Sequence, residues 1–516
     1  MNIVLVAINA KFIHSCLAVY SLYAYLGEEK KHVQIREFTV NQREELIVSE
    51  LFAMRPDVLA FSCYIWNIDM VLSIAETFKK IAPEVKIVAG GPEVSYGFKS
   101  PDADIIVSGE GEAAFSELVR GFLSGKPLRK TYKSKANLPL EDIPFPYQNG
   151  FVGFKNRIIY YETARGCTNQ CGYCLSSANE GVRFLPMERV QEDLAVFLRE
   201  KVRQVKLVDR TFNCNKQHTM EIWKYLIQND NGITNFHFEL AADLLDDEMV
   251  SVIKRAGAKL FQFEIGVQST NFDTLSAIRR KTDIRRLLDN VRKLKMSGNV
   301  NLHLDLIAGL PFEDHSSFIS SFNDVIACFP DQLQVGFLKL LKGSALRKDA
   351  AKYGIKFKSS PPYEILANNF MGYEVINRLK KIEHMVELFY NSGGFRSYML
   401  YMAPDYDFFE ALSVYWEKKD YHLASHKKAV LYTVLYEFGG KSRIISELLK
   451  FDMLTLENIR TFPNWINEYY SFDWKKITKT NALHTFEYDI PAWLNEIKTN
   501  TRAILQKKET EVLFDY

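Results

Sequence analysis

Through about residue 360 this chain repeats one pattern: a short apolar run, a loop of Gly or polar residues, then an amphipathic segment with helical spacing. That alternation belongs to parallel strands flanked by helices and confines this part of the chain to α/β folds. Within residues 1–123 the strands are expected at Ile3–Ile8, Val33–Phe38, Val58–Cys63, Lys86–Ala89 and Ile105–Val107, with helices at Leu17–Leu26, Arg43–Met54 and Met70–Ile81. Four of the strands run into loops: Asn9 to Ser15, Tyr64 to Asn67, Gly90-Gly91-Pro92-Glu93 and Gly109-Glu110-Gly111-Glu112. Open α/β sheets bind ligands at such carboxyl ends, although tight turns alone also account for the glycines.

From Ser124 to residue 156 the pattern weakens into a proline-bearing connector that ends in Leu140 to Tyr147. A second alternating block follows over 157–360. Its strands are expected near Ile158–Thr163, Val205–Val208, Asn235–Leu240, Leu260–Gly266, Leu302–Ile307 and Gln334–Leu340, with helices such as Met187–Lys201 and Asp246–Ala256. This block reads as a partial (β/α)6 TIM-type barrel with its chemistry at the strand C-termini. Residues 361–516 read as an all-α domain rich in Tyr, Phe and Trp, with helices such as Ile365–Ile382 and His426–Glu437.

At 516 residues the chain is too long for one core, and 47% hydrophobic residues let it fill several. Sixty-five Lys and Arg against 63 Asp and Glu leave a net charge of +2, so no global field draws nucleic acid or membrane. The apolar start, Ile3 to Ala7, lacks a basic flank and reads as a buried strand, not a leader. The longest apolar stretch, near Val58 to Trp66, is about half of what spans a bilayer. A cytoplasmic protein without membrane contact is expected.

Seven cysteines are too few for a disulfide scaffold. Three of them, Cys167, Cys171 and Cys174, form a Cys-x3-Cys-x2-Cys triplet just after the first barrel strand. Three thiolates in one loop suit three irons of a cubane cluster and leave the fourth iron open to an exogenous ligand. Zinc is the competing reading, but a structural zinc needs a fourth protein ligand and the nearest histidine is His218. Cys16, Cys63, Cys214 and Cys328 are isolated and read as core thiols.

At these residues the chain resembles the radical S-adenosylmethionine (SAM) superfamily. Tyr173 precedes the last cysteine, as an aromatic residue does in that family. Similar segments recur at Val208–Asn213, Glu239–Ala242, Glu264–Ser269 and Asp305–Pro311. Residues 1–123 resemble the cobalamin (B12)-binding domain that precedes the barrel in the cobalamin-dependent branch, and the tail resembles an uncharacterised helical extension of one subgroup. The resemblance implies a 4Fe-4S cluster on Cys167, Cys171 and Cys174, SAM, and cobalamin. It places Tyr173 by the adenine and makes Glu239, Gln268 and Asp209 candidates for holding SAM or substrate and for catalysis. Arg279 and Arg280 could pair with the SAM carboxylate or form a solvated helix face. Asn9, His14, Ser62, Tyr64, Asn67, Gly90, Gly91, Pro92, Gly109 and Glu110 become the cobalamin contacts. The Asp-x-His-x-x-Gly cobalt motif is absent from the sequence, and His14 stands as a cobalt ligand or as a polar contact to the corrin.

The implied reaction is reductive cleavage of SAM with methyl transfer, through methylcobalamin, to an unactivated carbon. Ring formation or rearrangement, and a non-catalytic corrinoid carrier or sensor, are the alternatives. A methylthio transferase is disfavoured, since only Cys16 and Cys63 precede the triplet. The expected partners are an electron donor such as flavodoxin or ferredoxin and an unknown substrate: a small molecule, an RNA or a peptide. In the tail, Lys418, Lys419, His422, His426, Lys427 and Lys428 with Tyr421 and Tyr432 could contact RNA; a solvated face over a buried aromatic stripe is favoured.

Overall fold

The computed structural model describes residues 1–133, 138–148, 150–151, 153–178, 181–456, 463–467, 481–497 and 503–515. Parts of the expected connector, at 134–137, 149 and 152, lie outside them. Two compact units emerge. One comprises Met1–Glu264, Leu275–Thr282 and Phe337–Asn369; the other comprises Ile265–Thr274, Asp283–Gly336 and Phe370–Tyr516.

The first unit opens with β1 (Ile3–Asn9), β2 (Val33–Thr39), β3 (Val58–Ser62), β4 (Lys86–Gly90), β5 (Ile105–Ser108) and β6 (Thr131–Lys133). They form one parallel sheet in the order β2-β1-β3-β4-β5-β6. This is the doubly wound, flavodoxin-like order, with its switch point between β1 and β3. All seven residues of β1 are buried. Val4, Val6 and Ile8 pack with helices Glu44–Ala53 and Ile68–Ile81, whereas Ile3, Leu5 and Ala7 pack with Leu17–Tyr25 and Glu112–Leu123. Helix Ile68–Ile81 forms because Ile68, Val71, Ile74, Ala75 and Phe78 line one face, with Asp69 in its first turn and Lys79 and Lys80 in its last. The sequence does not foresee β6. It lies at the sheet edge within the expected connector, and three residues with only Tyr132 buried carry too little periodicity to announce a strand.

The same unit continues through β7 (Ile159–Tyr161), an antiparallel pair β8 (Ala164–Gly166) and β9 (Val182–Phe184), then β10 (Gln204–Leu207), β11 (Asn235–Leu240) and the first half of β12 (Phe261–Gln268). The order is β12-β11-β10-β7, and β10 pairs parallel with both β7 and β11. In the second unit β13 (Asn301–Ala308) lies between the end of β12 and β14 (Gln332–Phe337). These strands bury Val205, Leu207, Phe236, Phe238, Phe261 and Phe263 on one face, while the alternate positions carry Lys206, Glu239 and Glu264.

The segment expected to begin a helix at Ile365 instead forms β16 (Ile365–Ala367), paired antiparallel with β15 (Lys356–Phe357); the helix runs over Tyr373–Met385, after Gly372. The C-terminal region is helical, with Tyr406–Lys418, Lys428–Phe438 and Arg443–Leu456 among its helices. It also contains an antiparallel pair, β17 (Asn481–Tyr488) and β18 (Lys507–Asp515), which an all-α reading omits. Phe486 of β17 packs with Leu448, Phe451, Ile490 and Trp493 in a separate core. Tyr432 is buried and donates to the Gly394 carbonyl, while His426 bonds the Tyr421 carbonyl, so the aromatic residues of the basic stretch are engaged in packing. No helix among the described residues is long and apolar enough to cross a membrane.

Candidate functional site

Two loop systems in the first unit carry the expected site. The cysteine loop is closed by the β8–β9 pair. Gly166 has φ 113°, and a Cβ there would run into the Gly181 carbonyl, so only glycine lets the hairpin close. Each of the three sulfurs receives a donor. Asn169 N donates to Cys167 Sγ at 3.4 Å, Ser176 N to Cys174 Sγ at 3.4 Å, and Arg280 Nη1 to Cys171 Sγ at 3.8 Å. Burial pushes the Cys171 thiol up, and the Arg280 guanidinium opposes it. Among the described residues no set of three His, Cys, Asp or Glu side chains converges on a single ion position. A cubane offers a different iron to each thiolate, so its ligands need no such point, and three donor-bearing sulfurs on one loop fit it.

Arg280 is therefore occupied at Cys171 and lies beside Tyr173, while Arg279 is exposed and reaches Asp349 at 4.0 Å. Asp209 is 2% exposed and accepts from both the Thr163 amide, at 2.8 Å, and the Thr163 hydroxyl, which also meets His218 Nε2 at 3.1 Å. Both of its oxygens thus tie the end of β10 to the segment after β7. Burial pushes Asp209 up to about 7. The folded state then keeps a proton that the unfolded chain releases, so this group's stabilisation is full below about pH 4 and is lost as pH rises to about 7, at about 1.4 kcal/mol per pKa unit. Asp209→Asn removes the titrating group, keeps one acceptor oxygen for the Thr163 amide and sets an N–H against the Thr163 hydroxyl. Relative to wild type, its urea midpoint should rise between pH 5 and pH 8; parallel midpoints across that range would refute the buried neutral acid.

Glu239 faces Lys206, at 3.9 Å. Lys206 in turn holds Glu264 at 2.6 Å, and His237 Nε2 meets Glu264 at 3.0 Å. Lys206, His237 and Tyr160 are not singled out from sequence, and Glu264 enters there only as the first residue of a family-like segment. The available signal was period two: Gln204-x-Lys206, Asn235-x-His237-x-Glu239 and Gln262-x-Glu264, where barrel interiors are ordinarily apolar. Gln268 ends β12 in the second unit with φ 72°. Next to it, buried Ser269 donates to Glu313 at 2.5 Å, and burial pushes Glu313 up to about 7.

The second loop system is the carboxyl edge of the flavodoxin-like sheet. Asn67 is spent internally: its amide donates to the Ile8 and Ser62 carbonyls at 2.9 Å and accepts from Tyr64 N at 2.8 Å. Asn9 donates to the His14 carbonyl and to Glu37, and Ser62 Oγ lies 3.6 Å from Cys16 Sγ. Gly91 has φ 115°, and a Cβ there would lie 2.6 Å from the Cys63 carbonyl oxygen; Gly109, at φ 80°, faces open space, and Gly90 and Pro92 flank the same turn. Glu110 is held by Arg183 and by Arg165, at 3.4 Å, in β9 and β8. Tyr64 stacks on Trp66 with centroids 4.3 Å apart. What the sequence reading missed is an apolar rim: Phe12, Ile13, Trp66 and Tyr96, on the loops after β1, β3 and β4, are all exposed. The strand order places these loops at the carboxyl edge of the same sheet, beside the switch point.

His14 Nδ1 and Tyr160 Oη are 2.7 Å apart, which directs His14 at β7. Burial, then Lys11, Lys206 and Arg157, holds it below the usual imidazole value. Ile158 N donates to the Ile13 carbonyl at 2.7 Å and Arg157 pairs with Glu37 at 2.5 Å, so the loop after β1 adjoins the start of β7.

Comparison with known proteins finds three matching family models in succession: B12 binding domain over residues 3–119, Radical SAM superfamily over 161–325, and a protein of unknown function, DUF4080, over 351–514. The cobalamin-dependent radical SAM methyltransferase TokK of Streptomyces tokunonensis is 29% identical over 59% of this chain and 50% of its own length. The 2-(S-pantetheinyl)-carbapenam-3-carboxylate methyltransferase of Streptantibioticus cattleyicolor is 28% identical over 51% of this chain and 44% of its own. The chain thus spans about half the length of these relatives. Among solved structures, the cobalamin-dependent S-adenosylmethionine radical enzyme OxsB shares the fold with a TM-score of 0.60 at 14% identity, over 88% of this chain and 78% of that one.

Proposed function

We propose, starting from a chain that belongs to the B12-binding radical SAM proteins, that it is an enzyme that cleaves SAM reductively and transfers a methyl group to an unactivated carbon of a small molecule. When bound, the cluster and cobalamin would supply one-electron cleavage of SAM and carriage of the methyl group. The observation that carries this reading is the pairing of three donor-bearing thiols with an apolar rim at the sheet's switch point in one compact unit. Cys167, Cys171 and Cys174 hold the cluster, and Phe12, Ile13, Trp66 and Tyr96 cover the macrocycle. Asn9, Ser62, Asn67 and Gly91 would brace that seat from behind, and His14, bonded through Nδ1 to Tyr160, would make a polar contact at its barrel side. Glu239 and Gln268 remain candidates for SAM or substrate, and Tyr173 for the adenine. The electron comes from an external carrier of the flavodoxin or ferredoxin kind.

Mass spectrometry of small-molecule extracts from cells with and without the gene tests the transfer. One species should be heavier by one methyl group only when the gene is present. A changed species of unaltered mass, or one lighter by hydrogen, would favour rearrangement or ring formation. Identical extracts from cells shown to contain the protein would favour the carrier.

A further inference from the structure

Glu93, directly after the Gly90-Gly91-Pro92 turn, is 2% exposed and lies outside the roles given above. Its Oε1 accepts from the buried Tyr363 hydroxyl and pairs with Lys342 Nζ at 2.6 Å. One residue on, Gly343 has φ 90°, and a Cβ there would lie 2.5 Å from the Tyr96 ring. Tyr96 is part of the apolar rim. Three residues farther, Leu346 N donates to the Gly172 carbonyl at 2.7 Å, and Gly172 N donates to the Ile278 carbonyl at 2.8 Å. Gly172 lies between Cys171 and Tyr173. A segment of five residues, Lys342 to Leu346, thus grips the loop after β4 at one end and the cysteine loop at the other. Arg347, at its exit, stacks 4.7 Å from the Tyr363 ring and donates to the Leu340 carbonyl at 2.5 Å.

We infer that Glu93 is a positioning residue: through Lys342 and Tyr363 it fixes the loop after β4 to the strap that also holds the cysteine loop, so that filling the cobalamin seat orders the cluster loop. This rests on the reading of the sheet edge as a cobalamin seat. The energetic logic is direct. A buried carboxylate leaves water only when paired, so Glu93 holds its two partners in one arrangement, and removing either leaves an uncompensated group. Both ends of the strap are backbone or buried contacts within a few residues, so ordering at one end restricts the other.

Deuterium exchange on the cluster-reconstituted full chain, with and without hydroxocobalamin, tests this. In wild type, hydroxocobalamin should slow exchange in residues 91–98 and also, by about tenfold, at the amides of Gly172 and Leu346. In Glu93→Gln, and separately in Lys342→Met, the slowing should stop at residues 91–98, and Lys342→Arg should restore it. A residue that merely held the fold would raise exchange without ligand but leave the ligand-dependent difference unchanged. Equal slowing at Gly172 and Leu346 in both variants, or none in a wild type that binds hydroxocobalamin, overturns the inference. A wild type that binds no hydroxocobalamin overturns the cobalamin reading beneath it, and the inference with it.

Discussion

Cys171→Ser should yield a folded chain that holds no intact cluster after anaerobic reconstitution and cleaves SAM at less than about a thousandth of the wild-type rate, the scale on which loss of an essential catalytic group shows. Cys171 is 4% exposed and is the triplet member that meets a half-buried cation, Arg280. A serine oxygen is a hard, weakly acidic ligand where iron and sulfide prefer thiolate, so the near-isosteric change removes the chemistry while sparing the packing. Cys63→Ser provides the contrast. That thiol is fully buried and pushed up to about 12 by burial, and it lies in the core of the first sheet. Its replacement should cost stability but leave iron and sulfide content unchanged. Equal cluster content in Cys171→Ser and wild type would remove this cysteine from the ligand set.

Gly91→Val carries the second large effect, on stability. With φ at 115° and a Cβ position 2.6 Å from the Cys63 oxygen and 3.0 Å from its nitrogen, any side chain meets main chain, not a side chain that could turn aside. Strain and overpacking together should cost about 3 kcal/mol or more. The loop after β4 must then move away from Cys63, taking Glu93 and Tyr96 with it, so hydroxocobalamin binding should be lost at concentrations that saturate wild type. A Gly91→Val chain with the wild-type urea midpoint would show that the loop has room the structure denies. Gly109→Ala, whose Cβ faces open space, meets only the strain of its positive φ and should cost much less.

The sequence disclosed those parts whose signals are local. The first sheet was legible because β1, β3 and β4 are buried on both faces and read as continuous apolar runs bounded by loops. The cluster loop was legible because its three thiols fall within eight residues. What stayed hidden depends on distant pairing. β18 reads Lys-Lys-Glu-Thr-Glu-Val-Leu-Phe-Asp, rich in helix formers, and becomes a strand because β17 pairs with it from Asn481 to Tyr488. Lys206 meets Glu264 across 58 positions and Glu93 meets Tyr363 across 270, so neither partner announces the other. The exposed Phe12, Trp66 and Tyr96 look like ordinary apolar residues until the strand order brings their loops to one edge. Asn67, which the loop position recommended as a ligand, proves to have every polar atom of its side chain committed to the backbone.

Reductive cleavage of SAM and methyl transfer are tested together by product analysis after anaerobic incubation of the reconstituted full chain with SAM, hydroxocobalamin and a low-potential reductant. Wild type should form both 5′-deoxyadenosine and S-adenosylhomocysteine, and Cys171→Ser should form no 5′-deoxyadenosine. Neither product from a wild-type chain with full iron, sulfide and cobalamin content would rule out the enzyme and leave a carrier of corrinoid in its place.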